Sequence, residues 1–112
     1  MRVKEIVEKL NLKVYSGSEG PDREVESAYL SDLLSDVMGN AATGNIWITL
    51  QTHKNIMAIA SLKELAAIIL VKGLNPEEGT IEKSNEEGIP VLGTDEETYP
   101  VAGKLYELLN AG

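Results

Sequence analysis

The chain has 112 residues, with ten Lys and Arg against eighteen Asp and Glu, one His and no Cys, for a net charge of −8 at pH 7. That length fits a single domain over residues 1–112, and 43% apolar with 25% charged residues is the composition of a globular protein rather than a disordered one. Without Cys there is no disulfide framework, thiolate metal site or thiol nucleophile, one imidazole cannot build a multi-histidine centre, and the acidic balance opposes binding to nucleic-acid phosphates.

No stretch approaches the ~18 apolar residues of a membrane span. The N-terminus has no long apolar block of the secretory kind, so a cytoplasmic protein away from membranes is expected.

In chain order, Val3, Ile6, Val7 and Leu10 recur at helical spacing and predict an opening amphipathic helix. Residues 12–15 read as a short strand, and Gly17-Ser18-Glu19-Gly20-Pro21-Asp22 supplies turn chemistry. Residues 25–30 form a second strand candidate. Ser31 or Asp32 then caps a helix running to about Gly39, with Leu33, Leu34, Val37 and Met38 expected inward. Residues 46–50 are β-rich, and a helix with Ile56, Ile59 and Ala60 on one side follows. Ser61-Leu62-Lys63-Glu64 has the pattern of a capping box opening a new turn. Residues 67–71 are a nearly all-apolar strand. Asn75-Pro76-Glu77-Glu78 combines an N-cap, a first-position Pro and a Glu three residues on, which predicts a helix ending at Gly88. Residues 89–92 are the last strand, limited by Pro90, and Val101, Leu105, Leu108 and Leu109 mark a closing helix begun near Pro100.

Strand–helix alternation over residues 46–109 implies parallel pairing through right-handed crossovers. Strands covered on both faces explain the unbroken apolar run at 67–71. The expected fold is a three-layer α/β/α sandwich with a small, mostly parallel sheet of four or five strands.

Residues 76–98 carry eight acids against Lys83 alone, which is nearly all the excess charge. A solvated helix face aided by the helix dipole is one account, and a docking surface for a basic protein partner is the other.

Ligands of open parallel sheets bind outside the carboxyl ends of the strands. Three loops qualify: Gln51-Thr52-His53, Lys72-Gly73-Leu74-Asn75 and Gly93-Thr94-Asp95. They nominate Thr52, His53, Lys72, Gly73 and Thr94 as ligand-binding residues, offering an imidazole, an ammonium, hydroxyls and helix starts to an anion. Each has a structural alternative. His53 can be a helix-start polar residue, Lys72 a surface charge, Gly73 a positive-φ turn, and Thr94 with Glu97 a capping box.

Other motifs fall short. The Gly17–Gly20 turn lacks P-loop spacing, and no Ser lies in a Gly-x-Ser-x-Gly elbow. Asp32 and Asp36 sit at helical i,i+4 spacing, where a shared cation is less expected than solvation. Trp47 in a strand reads as core. An enzyme would need His53 as base and Lys72 at an oxyanion, with no orienting acid in sight. No catalytic residue, metal site or cofactor is identified.

Several landmarks carry a family resemblance: Gly20-Pro21-Asp22-Arg23-Glu24-Val25, Ala67-Ile68-Ile69-Leu70-Val71-Lys72-Gly73, Pro76-Glu77-Glu78, Gly88-Ile89-Pro90-Val91-Leu92-Gly93-Thr94 and Thr98-Tyr99. Over residues 44–105 the chain resembles the DRTGG domain, and as a whole it is similar to the N-terminal domain of HPr kinase/phosphorylase, without that enzyme's P-loop. The resemblance implies a small α/β/α regulatory or ligand-sensing unit. It sets Thr52-His53 at the family's Asp-Arg place and Val71-Lys72-Gly73 at its Thr-Gly-Gly place, where only Gly73 matches. The expectation is a non-catalytic domain, homodimeric because two-fold dimers are the commonest soluble assembly, that binds a small anionic ligand or nucleotide.

Overall fold

The structure, a computed structural model, describes residues 1–111. Its elements are α1 (Val3–Lys9), β1 (Lys13–Ser16), β2 (Ser27–Leu30), α2 (Leu34–Asn40), β3 (Asn45–Thr49), α3 (Asn55–Leu62), β4 (Ala67–Leu70), α4 (Glu78–Glu87), β5 (Val91–Gly93) and α5 (Thr98–Asn110). The five strands form one sheet in the order β1-β5-β4-β3-β2. β2 to β5 run parallel, and β1 is antiparallel to β5 at the edge.

Because the chain steps from β2 to β5 in one direction, crossovers of constant hand put α2, α3 and α4 on one face. Alternating side chains show the division. Trp47, Ile68, Leu70 and Val91 pack with Val37, Ile56, Met57, Ile59 and Ala60 on the α2–α3–α4 side. Ile46, Ile48, Ala67, Ile69 and Leu92 pack with Val3, Ile6, Val101 and Leu105 of α1 and α5 on the other. A strand between two helical layers has no polar face, and all residues of β3, β4 and β5 are buried. The expected α/β/α sandwich with a mostly parallel sheet is the observed fold.

Several boundaries differ from the sequence reading, each for a local reason. α2 begins at Leu34, and only Val37 is fully buried; Leu33 is 63% and Met38 43% exposed. Ser31 and Asp32 do not cap it. The Ser31 hydroxyl accepts the Leu33 N–H, and the Asp32 carboxylate turns to β3. Ser61-Leu62-Lys63-Glu64 closes α3 rather than opening a turn, because Glu64 takes φ 53° just past the helix end. α4 starts at Glu78, with Glu77 at its cap, not at Asn75. The Glu77 N–H donates to the Thr52 carbonyl at 3.1 Å, which holds residues 74–77 off helical geometry. Pro90 precedes β5, and Pro100 lies within the first turn of α5, where its missing N–H costs nothing.

α4 is held by hydroxyls more than by apolar bulk. Its buried residues are Thr80 and Ser84. Thr80 donates to the Thr52 carbonyl at 2.7 Å, Ser84 to the Ile89 carbonyl at 2.6 Å, and Ser16 to the Ser84 hydroxyl at 2.8 Å.

Candidate functional site

The carboxyl ends of β4 and β5 lie side by side, yet their loops leave to opposite faces, one into α4 and the other into α5. This divergence is a switch point of the kind that opens a crevice in a parallel sheet. Here backbone bonds join the two loops. The Lys72 N–H donates to the Glu96 carbonyl at 2.8 Å, Gly73 N–H to Thr94 O at 2.9 Å, and Thr94 N–H to Leu70 O at 3.0 Å.

The bridging demands two successive left-handed residues, Lys72 at φ 60° and Gly73 at φ 70°. Glycine takes that conformation freely; for Lys it costs about 1 kcal/mol or more. The other non-glycine residues with positive φ, Asn11 and Glu64, sit just beyond helix ends, where such a residue closes the helix. Lys72 follows a strand. Its side chain is exposed, and no carboxylate among the described residues lies within pairing distance.

The five nominated residues divide by environment. Thr94 is buried at the end of β5, and its hydroxyl accepts the Glu96 N–H at 3.2 Å, forming a turn rather than the helix cap, which falls on Glu97. Gly73 is half-buried, and a β-carbon there would stand 3.1 Å from Asp95 Oδ1. Thr52 is half-buried and offers its carbonyl to α4. His53 is exposed at the start of α3, where Nδ1 accepts the Asn55 N–H at 3.1 Å and its carbonyl accepts the Ile56 N–H. It therefore has the helix-start role as well as a place on the edge.

A cavity of about 600 Å3 opens over the end of β5. Thr94 is the nominated residue that lines it, with Lys9, Asn11, Lys13, Glu96 and Lys104 among its other walls. The antiparallel edge strand creates this grouping, because Lys13 stands opposite Gly93 and brings the end of α1 alongside. Lys13 pairs with Asp95 at 3.6 Å and Lys104 with Glu96 at 2.8 Å, all with exposed side chains, while Lys9 is unpaired among the described residues. Three lysines face two carboxylates here, in a chain of net charge −8. These lysines escaped the sequence reading because nothing in residues 9–13 signals that their strand joins the far side of β5.

Tyr15 and Gly93 fix the rim. The ring crosses Gly93 so closely that a β-carbon there would meet it at 2.3 Å, and its hydroxyl donates to the Leu74 carbonyl at 3.2 Å. β1 is thus tied to the Lys72–Gly73 loop across β5.

Asp32 and Asp36 do not converge. Asp32 Oδ1 accepts the Thr49 hydroxyl at 2.8 Å and the Leu50 N–H at 2.7 Å, whereas Asp36 accepts the Tyr29 hydroxyl at 3.0 Å. No group of three or more His, Cys, Asp and Glu suited to a metal ion occurs among the described residues. Among the described residues no helix is long and apolar enough to cross a membrane. Trp47 is wholly buried and donates to the Ser31 carbonyl at 2.8 Å.

Fold and edge together define a small three-layer α/β domain with a lysine-lined cavity beside a sheet switch point. The chain belongs to the DRTGG domain family, whose model matches residues 5–108. Among solved structures it is similar to the CBS and DRTGG domains of the regulatory region of Clostridium perfringens pyrophosphatase, a structure complexed with the activator diadenosine tetraphosphate. The likeness has a TM-score of 0.67 at 16% identity and covers 92% of this chain and 46% of that one, so the chain spans just under half of its structural relative. No curated protein sequence matches the chain significantly.

Proposed function

We propose that this chain is a non-catalytic regulatory domain that works as a homodimer and binds a small anionic ligand of the nucleotide class at the carboxyl edge of its sheet. The observation that carries the reading is Lys72, an unpaired ammonium held in a left-handed conformation at the switch point, one residue before Gly73. Strain kept by a residue that glycine could replace is a mark of function. Family membership and the likeness to a regulatory region complexed with a dinucleotide activator support the ligand class. Lys72 and the cavity lysines supply the charge, Gly73 and Thr94 shape the floor, and Thr52 and His53 extend the edge on the β3 side.

The test is calorimetric titration with ATP and with diadenosine tetraphosphate, beside native mass spectrometry for the dimer. Replacing His53 and Lys72 together by Ala should weaken binding about tenfold or more, since charge-assisted contacts are worth about 1.5–3 kcal/mol. Unchanged affinity in that double variant rejects the site. A basic partner docked on residues 76–98 has less support. The segment divides between α4 on one side of the sheet and residues 95–97 at the start of α5, where Asp95 and Glu96 already face lysines.

A further inference from the structure

The two outer strands of the sheet are built differently. β1 carries Lys13, and its register slips between Val14 and Ser16; a charge and a bulge are both devices that keep an edge from pairing with another chain. β2, Ser27-Ala28-Tyr29-Leu30, has neither. It holds no charge and no Pro, and it pairs in regular register with β3 over all four residues. No backbone group among the described residues bonds to its outer side. At its end Leu30 is 44% exposed, and beyond it Leu33 is 63% exposed.

The stretch of chain that contains this edge carries charge of one sign. Residues 24–40 contain four acids and no Lys or Arg. Glu24 is taken by Arg2 and the N-terminal amine, but Glu26, Asp32 and Asp36 have no cation within pairing distance among the described residues. Glu26 precedes the strand, and Asp32 and Asp36 follow it. Asp36 is fixed by the hydroxyl of Tyr29, so its charge stays beside the edge, whereas Asp32 turns inward to the Thr49 hydroxyl and the Leu50 N–H.

We propose that the β2 edge takes up an extended basic peptide segment as a sixth strand. Main-chain bonds to the outer side of β2 supply affinity, and alternate side chains supply choice. On the α5 side, apolar residues of the incoming strand meet Ala28 and Leu30, which share a face with Ile46 and Ile48. On the other they meet Tyr29. Lys or Arg at its ends face Glu26 at one end and Asp36 at the other.

The same charges disfavour only some registers of a second copy in this place. A two-fold axis normal to the sheet keeps each side chain on its own face, so opposed residues must match in parity. Centring the pair on Tyr29 sets Asp32 against Glu26, and centring it on Ala28 sets Asp32 against Glu24, whereas centring it on Leu30 sets Asp32 against Ala28. A second copy is therefore the competing occupant that the experiment separates. The peptide site is independent of the anion site at the carboxyl edge and of any dimer formed elsewhere.

The experiment titrates the full chain into a fluorescent Lys-Val octapeptide with two Lys at each end and four Val between them, with the same peptide N-methylated at alternate residues and a Glu-Val version as controls. Expected are saturable binding to the Lys-Val peptide alone and amide NMR shifts confined to residues 26–36 and the facing part of β3. Leu30→Lys should weaken binding about tenfold, and Glu26→Lys should act in the same direction. Both positions are exposed, so both variants should fold. Absent binding, equal binding of the N-methylated peptide, or indifference to both substitutions overturns the proposal. So does a dimer of the free chain that Leu30→Lys dissolves, because the edge is then occupied by a second copy.

Discussion

The two ends of the parallel strands each hold a cation, and they use it in opposite ways. At the amino end Arg23 is half-buried and directed at main-chain carbonyls: Nε to Gly88 at 3.0 Å, Nη2 to Glu87 at 3.4 Å and Nη1 to Leu65 at 3.5 Å. It closes the carboxyl end of α4, where Gly88 takes φ 67°. At the carboxyl end only the backbone of Lys72 is engaged, and its ammonium has no carboxylate within pairing distance among the described residues. A cation whose donors are filled by carbonyls belongs to the fold. A strained one with empty donors is available to a ligand. Arg23 lies in a turn whose spacing looks motif-like, so a sequence reader could easily exchange the two.

Substitution at these positions should separate the ends. The largest effect is expected of Arg23→Ala, which leaves three carbonyls without a charged donor and should cost about 2–3 kcal/mol in urea unfolding. Ligand affinity of the folded protein should stay the same; an unaltered urea midpoint would remove Arg23 from its structural role. Gly93→Ala comes next. The added methyl must displace the Tyr15 ring, at about 1–3 kcal/mol, and the loss should shrink when Tyr15 is also replaced by Leu. Additive losses would show that ring and glycine do not meet. Lys72→Gly has the reverse sign. Relief of the left-handed Lys should raise stability by about 1 kcal/mol while nucleotide binding falls. A destabilised Lys72→Gly variant would contradict both the strain and the role drawn from it.

What was legible beforehand was what short-range pattern encodes. The apolar runs at 46–49 and 67–71 lie between two helical layers, with Leu50 exposed just past β3, while Trp47 is core, Gly73 has positive φ, and Gly88 ends its helix as expected. The carboxyl edge was legible because alternation implies parallel strands, and parallel strands put their loops together. Lys9, Lys13 and Lys104 were not, since their grouping depends on an antiparallel partnership between β1 and β5 made across more than 70 residues of chain. The start of α4 was misplaced for a similar reason. Asn75-Pro76 is a good local signal, but the distant Thr52 carbonyl takes the Glu77 N–H and decides the matter. The inward face of α2 was overread because four apolar residues suggest a buried stripe, whereas the helix covers the sheet's outermost strand and needs only Val37.

The smallest expected effect is a pH dependence that returns to the turn before β2. Asp22 lies beside Lys4 at 3.1 Å and Arg2 at 3.6 Å. The hydrogen bond and charge of Lys4, then Arg2, hold its carboxyl below the usual carboxylate range. Since the folded value is lower than the unfolded one, the contribution is full above about pH 4 and disappears as pH falls through the folded value. Asp22→Asn should therefore lower the neutral plateau slightly and converge with the parent in acid, which flattens the acid limb, and added salt should blunt the difference because all three groups are exposed. Tyr29 provides the mirror case. Burial, then its hydrogen bond to Asp36 and the charge of that carboxylate, push its phenol up, so what it contributes is complete below about pH 10 and is lost as pH rises further. Tyr29→Phe should remove a late-titrating phenol from the ultraviolet absorbance profile. Loss of an early-titrating one instead would mean that Asp36 does not hold Tyr29, and that the charge beside the β2 edge is not fixed.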